Sequence, residues 1–204
     1  DSYLGWEDPY TDADLVGART QWTAPAGATL TPKTPLVLSY ATPDGLLFTR
    51  TIALDTQSMF TITDKIENKS TVSRTIRPVS VVRRADLPAD FLPNAIIHQG
   101  LLGVFGPDVK AGGAFHDETY QDAQKLATDK TRGKKAMDLP LVKDTGAGGW
   151  LGISDHYWLT AIIPDASEKI DAQLKSDPKN GYHDFRATYN GQARAIAPGA
   201  SVQV

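Results

Sequence analysis

Residues 46–67 constrain the fold more than any other stretch of this chain. Residues 46–54 place Leu46, Phe48, Ile52 and Leu54 on one side of an extended strand, and Leu47, Thr49, Thr51 and Ala53 on the other. After 55–58, a second run puts Phe60, Ile62 and Ile66 on one side and Thr61, Thr63, Lys65 and Glu67 on the other. Alternation of period two is the mark of a half-buried antiparallel strand, and a helix cannot use it. Arg50 falls on the apolar face of the first run, so that face is not uniformly dry.

Turn chemistry extends the pattern. Thr42-Pro43-Asp44-Gly45 closes a hairpin between 36–40 and 46–54, because Asp-Gly accepts the positive φ of a tight turn. Asn68-Lys69-Ser70 turns the chain into a strand over 72–82. Pro78 belongs there at an edge or bulge, since it has no N–H for a ladder. Further along, 87–94 reads as loop and 96–105 as a buried strand broken or bulged at Gly100 or Gly103. Residues 117–128 form the best helix candidate, an exposed turn or two with a thin apolar face of Tyr120, Ala123, Leu126 and Ala127. Residues 128–135 are polar and basic, a surface loop. A Gly-rich turn at 145–149 feeds strands at 150–153 and 157–163, and 166–178 is polar and weakly specified. Residues 182–190 and 193–197 read as a hairpin about Asn190-Gly191, and Pro198-Gly199 leads into a last strand. With no repeat and no shift in composition, the expectation is one all-β domain over residues 1–204, an antiparallel sandwich with one or two short helices.

Composition excludes several functions. The 204 residues carry a formal net charge of -3 with acids and bases interspersed, so no basic stripe serves a nucleic acid. Cysteine is absent, which removes disulfides, thiol catalysis and thiolate zinc sites together. No apolar run reaches the roughly 20 residues that span a bilayer, and Asp1 does not open a signal peptide.

Catalytic constellations do not assemble. His98, His116, His156 and His183 lack the i, i+4 spacing of a helical metal pair. Gly152-Ile153-Ser154-Asp155-His156 sets Ser, Asp and His side by side, but neighbours on an extended segment point to alternate faces and form no triad. Gly146-Ala147-Gly148-Gly149 precedes a β-like run rather than the helix a phosphate loop opens, so its glycines serve close packing. Asn68-Lys69-Ser70 matches a glycosylation sequon but is turn chemistry first, and Asp117-Glu118 reads as a solvated loop pair. No metal or cofactor is expected. Trp150, Tyr157 and Trp158 crowd one region and are the candidate partner- or peptide-binding residues; core packing is the competing reading.

Three segments carry a family likeness. Residues 48–55, Phe-Thr-Arg-Thr-Ile-Ala-Leu-Asp, with Met59-Phe60-Thr61-Ile62-Thr63 and Glu67-Asn68, resemble the large periplasmic domain of the YidC-type membrane protein insertases. So do Ile97-His98-Gln99-Gly100-Leu101-Leu102-Gly103-Val104-Phe105 and residues 149–164, Gly-Trp-Leu-Gly-Ile-Ser-Asp-His-Tyr-Trp-Leu-Thr-Ala-Ile-Ile-Pro. The likeness covers about residues 6–204 and rests on the order and spacing of the three segments. It implies a β-supersandwich similar to galactose mutarotase-like folds, on the periplasmic side of the bacterial inner membrane. It also implies a non-enzymatic role in inserting and folding inner-membrane proteins. The implied partners are Sec translocon components and nascent inner-membrane proteins, with membrane contact through a transmembrane part outside this chain. Against the family pattern the chain reads as shortened at both ends. A sugar-binding or aldose-epimerase-like domain on the same fold is the alternative, with His98 and His156 as its candidate residues and no matching Glu near the end of the chain.

Overall fold

The structure is a computed structural model, and it describes residues 1–93, 96–107, 113–128, 140–179 and 182–204. The described residues form β1 (Ser2–Glu7), β2 (Asp14–Val16), β3 (Leu36–Ala41), β4 (Leu46–Leu54), β5 (Phe60–Asn68), β6 (Arg74–Ala85), β7 (Gly100–Phe105) and β8 (Ala114–Thr119). Then come α1 (Tyr120–Thr128), β9 (Val142–Ala147), β10 (Trp150–Ser154), β11 (Leu159–Ile162), β12 (Lys169–Lys179), β13 (Tyr182–Asn190), β14 (Arg194–Ile196) and β15 (Ser201–Gln203). Strand pairing is antiparallel, and the fold is all-β with one short helix, as the alternation requires.

The chain divides into two compact units, Asp1–Gly5 with Pro78–Gln192, and Trp6–Arg77 with Ala193–Val204. In the first, the second half of β6 pairs with β13, β13 with β12, and β12 with β9. Another sheet runs β11-β10-β7-β8. Val82, Ile170, Leu174 and Phe185 from the former share one core with Leu101, Phe105, Leu151 and Ile153 from the latter, and Tyr120 and Ala123 of α1 belong to the same core. In the second unit, the sheet β15-β5-β4-β3 supplies Leu46, Phe48 and Ile66 to a core with Trp6, Val16, Ile76 and Ile196.

Several expectations need correction. Phe60 and Ile62 stand on the inward face of β5, yet they are 58% and 36% exposed, while Phe48 and Ile66 are fully buried. The β4–β5 hairpin pairs without interruption to Leu54↔Phe60, so its tip continues past the residues that cover its base. Residues 96–99 are not strand: β7 starts at Gly100, opposite Ser154 of β10 and Thr119 of β8, and neither neighbour reaches further. Ile96 is fully exposed, and the His98 carbonyl accepts from Ser154 Oγ at 3.0 Å instead. Pairing runs through Gly103 without a bulge; a Cβ there would lie 2.6 Å from the Trp150 carbonyl oxygen.

Asp117–Thr119 belong to β8, and the helix opens at Tyr120 because Thr119 caps it, its Oγ1 accepting the Asp122 N–H at 3.1 Å. Burial of Tyr120, Ala123 and Ala127 shows that α1 is docked rather than a free surface turn. Most of the stretch 166–178 is β12, which runs on to Lys179 and lies between β13 and β9. Its inward set, Ile170, Ala172, Leu174 and Ser176, is small and interleaved with Lys and Asp, which hides the strand from a hydropathy reading. β13 and β14 do not form a hairpin; each pairs with β6, and β13 stops at Val79, the residue after Pro78. Within the basic loop expected at 128–135, residues 129–135 lie outside the described residues.

Candidate partner-binding surface

β10 and β11 form a hairpin in unbroken register from Leu151↔Ile162 to Ser154↔Leu159, and residues 155–158 make its turn. The Asp155 N–H donates to the Trp158 carbonyl at 2.8 Å. The Asp155 carboxylate accepts from the Tyr120 hydroxyl at 2.6 Å and pairs with the Arg84 guanidinium. Tyr120 is completely buried, its ring 4.6 Å from that of Phe185. Burial, and then the hydrogen bond to Asp155, push the Tyr120 hydroxyl well above the usual phenol range, so it stays a donor. The turn is thereby tied at its base to the core through α1 and β6, and the Asp155 charge is neutralised by Arg84.

Beyond this anchor the side chains face solvent. Tyr157 is 77% and Trp158 79% exposed, Leu159 and Ile163 are more than half exposed, and Thr160 and Ala161 are open as well. On a strand, Tyr157 and Trp158 would point to opposite faces, which leaves at least one of them exposed. Both are exposed, because they occupy the turn rather than the strand, where alternation no longer applies. Trp150 sits apart from them at the start of β10, opposite Val104 of β7, and is half-buried. Ile96, Ile97 and the β11 residues are surface features that the sequence reading missed. The uncharged run 157–163 was the available signal, but nothing local says that β11 has a free side.

The histidines occupy separate structural settings. His116 stacks on Phe105 at 4.4 Å, and His156 meets Tyr157 edge-on at 4.1 Å. His183 lies 3.3 Å from Ser176 Oγ, and the His98 backbone is held by Ser154. Among the described residues no three His, Cys, Asp or Glu side chains group as a metal site. Asn68 of the sequon is buried, and its Nδ2 donates to the carbonyls of Val72 and Ile196, both at 2.8 Å, so the amide works inside the fold. At Gly149, φ is +94° and a Cβ would lie 2.2 Å from the Val104 carbonyl oxygen, which is why glycine precedes Trp150. Asp117 and Glu118 are neighbours on β8 and so point to opposite faces.

Comparison with known proteins agrees with the three segments that carry the likeness. The sequence profile of the YidC periplasmic domain matches residues 3–204. The membrane protein insertase YidC of Caulobacter vibrioides is 37% identical over 98% of the chain. The proteins of that name in Rhizobium etli and Methylobacterium sp. are each 35% identical, over 98% and 93% of the chain. The chain spans only about 30% of the length of these relatives. With its described residues forming antiparallel β sheets and one short helix, and its profile matched nearly end to end, the chain belongs to the YidC periplasmic domain family.

Proposed function

We propose that this chain is a non-catalytic docking domain on the periplasmic side of the bacterial inner membrane. It holds client proteins, or components of the Sec translocon, beside the membrane-embedded remainder of an insertase. The observation that carries this reading is the pinned hairpin, which presents Tyr157 and Trp158 at 77% and 79% exposure on a turn tied to the core. Tyr and Trp bring large contact area with few rotatable bonds and are enriched at protein interfaces. The name shared by the relatives, membrane protein insertase, supports a use of such a surface in meeting emerging chains. Packing of His116 and His183 on Phe105 and Phe185 supports a structural use for these rings.

The test is site-specific photocrosslinking in cells from Tyr157 and Trp158 of the full-length protein, with insertion of a reporter measured per insertase molecule. Adducts with inner-membrane clients or translocon subunits are expected. A Tyr157→Ala/Trp158→Ala variant is expected to insert less per molecule. No adduct from either position, together with unchanged insertion in that variant, refutes docking at this surface. Interconversion of sugar anomers that is lost on His98→Ala or His156→Ala would refute the non-catalytic reading.

A further inference from the structure

We propose that β11 is a strand-addition edge, which takes an extended, uncharged apolar segment of a client chain as a fifth strand of the β11-β10-β7-β8 sheet. The inference rests on the docking reading above and names the class of ligand. β11 ends the sheet, and among the described residues it pairs only with β10. An open edge is a template for another chain, so folded proteins usually blunt it with charge, proline or a bulge. The neighbouring edges follow that rule: β8 carries Asp117 and Glu118, and β9 carries Lys143 and Asp144. β11 does not. No Asp, Glu, Lys or Arg occurs from Tyr157 to Ile163, Pro164 comes only after the strand, and the register with β10 has no bulge. Leu159, Thr160 and Ala161 are exposed on both faces of the strand, with Ile163 just beyond.

Charge selects the occupant. A segment paired to β11 lies along a run with no countercharge, so a charged residue facing Leu159 or Ile163 would lose hydration without a partner, whereas an apolar one gains by burial. Size sets the lifetime. A strand of five or six residues covers on the order of a few hundred Å2 per partner, below the roughly 1,200 Å2 in total that stable complexes bury. That is too little for a permanent dimer of this chain and suits a contact that forms and releases. Main-chain hydrogen bonds supply affinity without reading sequence, as passing clients of varied sequence require.

The experiment titrates the chain with a fluorescent, uncharged peptide of alternating Val and Thr, and with the same peptide N-methylated at alternate amides on its pairing edge. Amide NMR signals of residues 159–163 and anisotropy are followed. Saturable binding in the micromolar to millimolar range is expected, with shifts centred on β11. A loss of at least tenfold is expected both on N-methylation and in a Thr160→Lys/Ala161→Lys variant, whose exposed positions accept lysine; its circular dichroism must match the parent. Equal binding of the methylated peptide, equal binding by the lysine variant, or no saturation at millimolar peptide overturns strand addition. Sedimentation showing a dimer abolished by the two lysines would assign the edge to a second copy and overturn the client. If crosslinks from Tyr157 or Trp158 persist in cells while peptide binding fails, docking stands and strand addition falls; if neither position crosslinks and the Tyr157→Ala/Trp158→Ala variant inserts normally, docking itself has failed.

Discussion

Asp64 is the residue whose removal should cost the second unit most. It lies opposite Arg50 in the β4–β5 register, and the two are 6% and 8% exposed. Its carboxylate accepts Arg50 Nε at 2.7 Å, Arg50 Nη2 at 2.6 Å and Trp6 Nε1 at 2.6 Å. The Arg50 guanidinium also lies 4.7 Å from the centre of the Trp22 ring. Asp64→Ala leaves a buried guanidinium without its counterion, which costs about 3–5 kcal/mol. It also orphans the Trp6 N–H, a further 1–3 kcal/mol or so that overlaps in part with the first. A loss of about 4–6 kcal/mol is a large share of the roughly 5–15 kcal/mol that holds a domain folded. Replacing both partners with apolar residues of similar volume, Arg50→Met with Asp64→Leu, removes the charge and its desolvation together and should recover most of the loss, leaving about 1–3 kcal/mol for the Trp6 N–H that still lacks its acceptor. Urea denaturation followed by tryptophan fluorescence measures both. A single variant within about 1 kcal/mol of the parent, or a double variant as unstable as the single one, would refute this account of the pair.

Phe48→Ala should destabilise by about 3–5 kcal/mol, because Phe48 is fully buried, whereas Phe60→Ala at 58% exposure should cost under about 1 kcal/mol; parallel urea titrations separate the two. Tyr120→Phe keeps the ring packing and removes a hydrogen bond to a charged group, so a loss of about 1.5–3 kcal/mol is expected, with faster amide exchange at residues 155–158 than elsewhere in the unit. His183 binds its proton more weakly in the fold than in the unfolded chain, chiefly through burial, with Asp86 opposing. Its share of stability is therefore complete above the ordinary value of 6.5 and falls as pH drops from there through the folded value. His183→Phe should flatten that slope between pH 7 and pH 5, read as urea midpoints across pH, and an unchanged slope would refute the assignment.

The strands β4 and β5 and the 42–45 turn follow from residues close together in the chain. Side-chain alternation and backbone sterics act over one or two residues, so a sequence states them directly. Burial is different, because it belongs to the neighbour as much as to the residue. Phe48 and Phe60 share one alternating face, and only the extent of the covering core leaves one dry and the other wet. The same dependence left β12, a long paired strand with a small inward set, weakly specified in the sequence, and let residues 96–99 pass for strand where no neighbour reaches them. The candidate surface is likewise tertiary. Tyr157 and Trp158 were legible as aromatics near a turn, yet Asp155 is pinned by Arg84 and Tyr120, which lie 71 and 35 residues away in the chain. Whether β11 lies at the edge or the centre of a sheet leaves no trace in its own four residues or in the uncharged run 157–163 around them. Period two is the same in both places, and only the order in which the strands pack decides which side is left open.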